Sequence, residues 1–229
     1  SNTVIPFPEQ GCILLDDAIN RFIQNNRITQ DCRISRDSKG CITNTYSAEI
    51  IEKELDFTYY HNSESFFQSN GFLRPKMLEL VIEQSAGFSQ AIDMGCGCGF
   101  FTIPLSKKMK ITGIDISKES IASAKKNNIE NRTDAKFIRC DMDSIPDSIK
   151  TADLIVTDPP RAGMNSKARE IIKKIRPKKI IYVSCNPATW ARDAGDLIKS
   201  GFKLESVDLI DMFPGTMHIE LISSFSFDK

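Results

Sequence analysis

The chain has 229 residues, 41% hydrophobic and 26% charged, with 30 basic and 30 acidic side chains and a formal net charge of zero. That length allows one large domain, or an ordinary domain plus a small one, and the composition is that of a globular protein. The balanced charge excludes binding of a polyanion by bulk attraction, so any nucleic-acid partner must meet a local patch.

No apolar run is long enough to span a bilayer and no secretory signal pattern opens the chain, so a cytoplasmic protein without a membrane partner is expected. The chain starts Ser-Asn-Thr without a methionine, which suggests that part of a longer protein precedes it. Seven cysteines occur, Cys12, Cys32, Cys41, Cys96, Cys98, Cys140 and Cys185. Their odd number and irregular spacing argue against a disulfide framework and for reduced thiols. Cys96 and Cys98 lie in a glycine loop with no second pair, so no metal site is expected.

Leu15, Ala18, Ile19, Phe22 and Ile23 recur at helical spacing and predict a short amphipathic helix over 13–26. "CRISRDSKGCITNTY" reads strand, turn, strand, with Asp37 to Gly40 as the turn, and "LDFTYY", Leu55 to Tyr60, reads as a further strand. Residues 1–72 are therefore expected to form a small α+β subdomain, and 73–229 the main domain.

Beyond residue 73 the rhythm changes. "QAIDMG", "ITGIDI", "AKFIRC", "DLIVTDPP" and "KIIYVSC" read as apolar strands. "KMLELVIEQ", "KESIASAKKNN", "SKAREIIKKI" and "TWARDAGDLIKS" read as helices between or after them. This alternation predicts a parallel sheet covered on both faces. "FKLESVDLIDMF" and "HIELISSFSF" have no helix between them and predict an antiparallel edge. The expected fold is α/β, with a mostly parallel seven-stranded sheet of the Rossmann-like kind.

Ligands of such sheets sit outside the carboxyl ends of the strands. The five tips deliver Asp93 with the loop Gly95-Cys-Gly-Cys-Gly99, then Asp115, Asp141, Asp158-Pro-Pro, and Ser184-Cys-Asn-Pro187. A dinucleotide loop wants Gly-x-Gly-x-x-Gly, but Phe100 occupies the third glycine position here. Acids at three successive tips do not suit a diphosphate. They suit S-adenosylmethionine: a carboxylate for its ammonium group, Asp115 for the ribose hydroxyls, Asp141 for the adenine amino group. Asp115 stands 22 residues beyond Asp93, a suitable distance for the next tip.

"TDPPRAG" sets a carboxylate and two rigid prolines beside the expected position of the cofactor's methyl group. Amino-methylating enzymes use a similar tip followed by an aromatic residue, but Arg161 follows here. Cys185 then becomes the candidate nucleophile. Methylation at carbon 5 of a pyrimidine needs a thiolate to add at carbon 6 and a base to remove the carbon 5 proton. A helix starting near Pro187 is expected to lower the thiol pKa. Glu220 in "TMHIEL" is the candidate base, and His218 a weaker one.

Together "SCNPATWARD", "DPPRAG", "DMFPGTMHIE" and "ESFFQSNGF" resemble the RNA uracil-5-methyltransferases, over nearly the whole chain from about residue 30. The ribosomal-RNA branch is the most similar. The resemblance implies Cys185 as nucleophile, Glu220 as base, and RNA, ribosomal or transfer, as partner. It implies cofactor contacts from Gln68, Gly95, Phe100, Asp115, Asp141 and Asp158, the last also serving catalysis.

The chain departs from that family in its glycine loop, where members commonly carry an aromatic residue at position 95 and a small polar one at 100. Relatives hold an iron–sulfur cluster on four cysteines, of which Cys12 is the one candidate here, so no cluster is expected. The relatives' β-barrel RNA-binding domain has no counterpart, and weak RNA binding and a monomer are expected. Lys173 to Lys179, "KKIRPKK", are candidate phosphate contacts. The alternative readings are an amino or cytosine methyltransferase, or a cofactor-binding fragment without turnover.

Overall fold

The computed structural model describes residues 17–26, 34–36, 40, 42–43, 49–63, 65–149 and 151–227. Helix α1 is Asp17–Asn25, followed by two short antiparallel strands, β1 (Ser35–Arg36) and β2 (Ile42–Thr43). The predicted turn at 37–39, Leu15, Cys12, Cys32 and Cys41 lie outside the described residues.

The strand expected over Leu55–Tyr60 is displaced. Glu49–Glu54 forms β3 and Phe57–Asn62 forms β4, a hairpin in continuous register from Glu49 opposite Asn62 to Glu54 opposite Phe57. Leu55 sits in the turn at φ 53° with nearly half its surface exposed. The apolar side chain drew the sequence reading one turn too early. β3 was missed because "EIIEKE" is polar at alternate positions and short of aromatic residues.

The hairpin packs on the main domain through a side-chain amide rather than a sheet. Asn127 is fully buried, accepts from Tyr60 N–H at 2.7 Å, and donates to the carbonyls of Tyr60 at 3.0 Å and Cys98 at 2.9 Å. Asn131 repeats the pattern on Thr58, at 2.9 and 2.7 Å. These contacts satisfy backbone groups that the two-stranded hairpin leaves unpaired.

The remaining elements are α2 (Arg74–Gln84), β5 (Gln90–Met94), α3 (Thr102–Ser106), β6 (Lys110–Asp115), α4 (Lys118–Glu130), β7 (Lys136–Arg139), β8 (Leu154–Thr157), α5 (Ser166–Ile175), β9 (Lys179–Ser184), α6 (Pro187–Lys199), β10 (Lys203–Ile210) and β11 (Glu220–Ser226). The expected helices and strands are all present, and the five-residue α3, too short to show periodicity, is added. Helix starts follow local chemistry: Ser117, Asn165 and Asn186 each cap α4, α5 and α6 by accepting from a backbone N–H.

The seven-stranded sheet runs β10-β11-β9-β8-β5-β6-β7. β9, β8, β5, β6 and β7 are parallel, and β11 is antiparallel to both neighbours. Side chains alternate between two cores: Leu154, Val156, Ile181 and Val183 face α2 residues Leu78 and Val81, while Ile155, Ile180 and Tyr182 face Ala168, Ile172 and Leu197. β5 connects onward to β6 on one side and pairs with β8 on the other. That reversal of strand order opens a crevice at the carboxyl ends.

Candidate functional site

A cavity of about 780 Å³ occupies this crevice. Its wall takes Gly95 and Gly97 from the loop after β5, Asp115 after β6, Asp158 to Arg161 after β8, Cys185 after β9 and Glu220 from β11. Ser65, Phe66 and Gln68 close it from the segment before α2.

Two glycines shape the loop. Gly95 (φ 81°) comes so close to the β8 tip that a Cβ would lie 3.1 Å from the Asp158 carbonyl. Gly97 (φ 55°) is the opposite case, since a Cβ there would meet nothing within 4 Å. Its N–H donates to Asp115 Oδ2 at 2.9 Å, and Ser117 N–H donates to Oδ1 at 2.8 Å, so two backbone amides hold the Asp115 carboxylate at the wall.

Three of the expected ligand residues are placed elsewhere. Phe100 is buried among Tyr59, Phe67 and Phe101, and its carbonyl accepts from Tyr59 O–H at 3.0 Å. Its side chain is a core aromatic and does not enter the wall. Asp93 is fully buried beneath the loop, where Thr102 Oγ1 donates to its Oδ2 at 2.5 Å. Burial raises its carboxyl to about 7, partly offset by Thr102. Asp141 is not among the residues that line the cavity, whose wall takes its neighbour Met142 instead.

Gln68 is in the wall and buried, and its Nε2 donates to Asp158 Oδ2 at 2.8 Å. Arg74 in turn donates to the Gln68 carbonyl at 3.1 Å and is ion-paired with Glu52 at 3.1 Å and Glu54 at 2.7 Å. This chain of contacts crosses the expected boundary between residues 72 and 73 and ties the hairpin to the cavity.

Cys185 and Glu220 meet because of strand register. β11 runs antiparallel to β9 with Leu221 opposite Ser184, so Glu220 falls level with Cys185 at the sheet's edge. Glu220 is 5% exposed, and burial pushes its carboxyl up to about 7, with Arg161 pulling the other way. The Asp158 carboxyl is held well above the usual range by burial, then by Glu220 and Asp93.

The Cys185 thiol is raised, not lowered. Burial is the largest cause, followed by the Glu220 and Asp158 carboxylates, with Arg161 opposing them. The expected help from the start of α6 is outweighed by burial first, and then by the two acids.

The sequence reading did not assign Phe66, Ile116, Ser117 or Met142 to the wall, nor give Arg161 a role there. Ile116 and Ser117 directly follow an acidic tip, a signal that was available. Phe66 comes from a segment whose position only packing decides. The basic run from Lys173 to Lys179 spans the last turn of α5 and the start of β9, at the amino end of that strand, opposite the cavity at the carboxyl ends. Lys173 is paired with Glu170 and Asp196, Lys178 with Asp153, and Arg176 covers the Phe227 ring. The candidate phosphate contacts of this run therefore lie away from the cavity, and several of their charges are already engaged.

Among the described residues no group of three or more His, Cys, Asp or Glu side chains is arranged to hold a metal. No described helix is long and apolar enough to cross a membrane.

The family profile described as tRNA (uracil-5-)-methyltransferase matches residues 28–223. A 23S rRNA (uracil(747)-C(5))-methyltransferase of Pyrococcus abyssi is 34% identical over 188 residues, 81% of this chain and 45% of the relative. A tRNA (uracil(54)-C(5))-methyltransferase of Pyrococcus horikoshii is 34% identical over 189 residues, with the same shares. Among solved structures, the Pyrococcus abyssi tRNA (uracil-54, C5)-methyltransferase in complex with S-adenosyl-L-homocysteine superposes with a TM-score of 0.71 and 31% identity, over 81% of this chain and 45% of that one. The chain spans less than half the length of these relatives. The match nevertheless runs through all four sequence motifs and every strand of the main sheet: the chain belongs to the tRNA (uracil-5-)-methyltransferase family.

Proposed function

We propose that this chain carries the catalytic centre for transfer of a methyl group from S-adenosylmethionine to carbon 5 of a uracil in RNA. The observation that carries the reading is the meeting of Cys185, Glu220 and Asp158 in one cavity with the Gly95–Gly97 loop and Asp115. The open space above Gly97 fits the cofactor, because a thin backbone ridge lets a ligand lie against the loop. The amide-held Asp115 carboxylate would accept from its ribose hydroxyls, and Gln68 and the Gly95 backbone would bound its other end. When bound, S-adenosylmethionine supplies an electrophilic methyl group.

The chain's own residues do the rest. Cys185 releases its proton to solvent and its sulfur bonds to carbon 6 of the uracil, which sends electron density to carbon 5 for methylation. The Glu220 carboxylate then removes the carbon 5 proton as the sulfur–carbon 6 bond breaks, which frees the thiolate. A carboxyl near 7 suits that task, because it is ionised in half or more of the molecules at neutral pH and still basic enough to accept. Asp158, held by Gln68, would serve both the cofactor and the uracil. The target uracil must leave its stack to reach Cys185. Ribosomal or transfer RNA as the substrate, a cytosolic setting and a monomeric state complete the proposal.

Covalent trapping tests it. The protein is incubated with S-adenosylmethionine and RNA containing 5-fluorouridine, whose fluorine cannot leave as a proton. An adduct that survives denaturing electrophoresis and is absent in Cys185→Ala is expected. S-adenosylmethionine binding without an adduct on any cellular RNA pool would favour a cofactor-binding fragment instead.

A further inference from the structure

Arg161 is the cation whose charge opposes the two acids at Cys185, and it shares the cavity wall with Cys185 and Glu220. Its backbone is fixed: the Arg161 carbonyl accepts from Asn186 Nδ2 at 3.0 Å and Thr189 Oγ1 at 3.1 Å. Its guanidinium is exposed, and a long exposed side chain is not held in place by its backbone. What holds it is His218, whose Nδ1 lies 2.8 Å from Arg161 Nη2. A guanidinium has only N–H groups to offer, so in this contact the imidazole nitrogen is the acceptor.

His218 is itself placed by its loop between β10 and β11. Thr216 Oγ1 accepts from the His218 N–H at 3.1 Å and donates to the Phe213 carbonyl at 2.7 Å. The Phe213 ring stands edge-on to the imidazole at 6.0 Å. The loop after β8, the start of α6 and the loop that leads into β11 are thereby joined at one residue, Arg161.

We propose that His218 is a positioning residue for this centre: as a hydrogen-bond acceptor it keeps the Arg161 guanidinium in the cavity wall that Cys185 and Glu220 share. The inference rests on the reading of Cys185 as nucleophile. It assigns His218 a task different from that of a base. The groups that face the sulfur are Glu220 from β11, Asp158 from the β8 tip and Arg161 from the same loop. Arg161 is the one charge among them that lowers the thiol pKa, beside a hydrogen bond at the Cys185 backbone, so its displacement removes the larger of the two influences that oppose the acids.

The test reads the thiol directly, without RNA or cofactor. The rate of Cys185 alkylation by iodoacetamide is followed from pH 6 to pH 9.5 by mass spectrometry of the peptide that contains it. His218→Ala is expected to slow alkylation at pH 7.5 by about tenfold, the change in thiolate fraction that one unit of thiol pKa produces. His218→Asn places an amide oxygen near the Nδ1 position and is expected to restore the rate to within about twofold of the parent. Arg161→Met is expected to match His218→Ala, and the double variant to be no slower than Arg161→Met, as required if His218 acts through Arg161.

An unchanged rate in His218→Ala, no rescue by Asn, or additive losses in the double variant would overturn the proposal. A fluorouridine adduct in the parent together with any of those results would refute the positioning role alone. The expected alkylation pattern without an adduct would refute the uracil reading alone.

Discussion

Removal of the Asp193 carboxylate tests the packing that sets the Asp158–Gly163 loop. Asp193 is fully buried on α6. Its Oδ2 accepts from Tyr182 O–H and Met164 N–H, both at 2.8 Å, and its Oδ1 from Arg169 at 3.0 Å and Arg192 at 2.8 Å. Asp193→Ala strands three donors that water reaches poorly: the Tyr182 hydroxyl, the Met164 amide and the Arg169 guanidinium. Each stranded buried donor costs about 1–3 kcal/mol, and breaking a buried ion pair about 3–5 kcal/mol. Arg192 is half exposed and water replaces its loss. Taking the low end for the two neutral donors and for the one ion pair, a loss of at least about 5 kcal/mol follows, which for a domain of this size lowers the melting temperature by roughly 10–20 °C. Tyr182→Phe removes one donor and leaves the carboxylate its other three, so about 1 kcal/mol and roughly 2–4 °C are expected. Differential scanning calorimetry on both variants decides the matter. A loss in Asp193→Ala no larger than in Tyr182→Phe would show that the carboxylate is not the hub of this loop.

Four further outcomes are expected. Gly163 (φ 73°) sits so close to this hub that a Cβ would lie 2.6 Å from Asp193 Oδ2, so Gly163→Ala should cost more than about 2 kcal/mol in urea unfolding. Gly97→Ala adds a methyl group into open space and should cost about 1 kcal/mol while abolishing S-adenosylhomocysteine binding by calorimetry. Glu54, Asp93 and Glu220 are all raised to about 7, chiefly by burial. Each binds its proton more tightly folded than unfolded, so its stabilisation is present below about pH 4.5 and is lost as pH rises towards 7 and beyond. Melting temperature should therefore fall between pH 5 and pH 8, and Asp93→Asn should flatten the slope; a rise over that range would contradict the assignment. Asn127→Ala breaks two hydrogen bonds between α4 and the β3–β4 hairpin and a third to the Cys98 carbonyl, and should speed hydrogen exchange at residues 49–62 while that of β5 and β8 stays slow.

The sequence by itself determined the parallel sheet, its helices and the five polar tips. Strands such as "DLIVT" and "KIIYVS" are apolar on both faces, which only a covered parallel sheet allows, and Ser117, Asn165 and Asn186 mark helix starts by local capping. It also named Cys185, Glu220 and Asp158, through motifs whose chemistry is local. Tertiary structure alone decided the rest. Leu55 lies in a turn and Phe100 in the core because packing overrides the apolar pattern. Asp93, an acid at a strand tip like Asp115, is buried under its own loop, and no one-dimensional pattern separates the two. The ionisation of Cys185 also follows from non-local neighbours. A helix start lies beside it in the chain, but the two acids that face it come from β8 and from β11, whose register with β9 brings Glu220 across 35 residues of sequence to the sulfur. Electrostatic effects depend on distance in space, and that distance is set by how the strands pair.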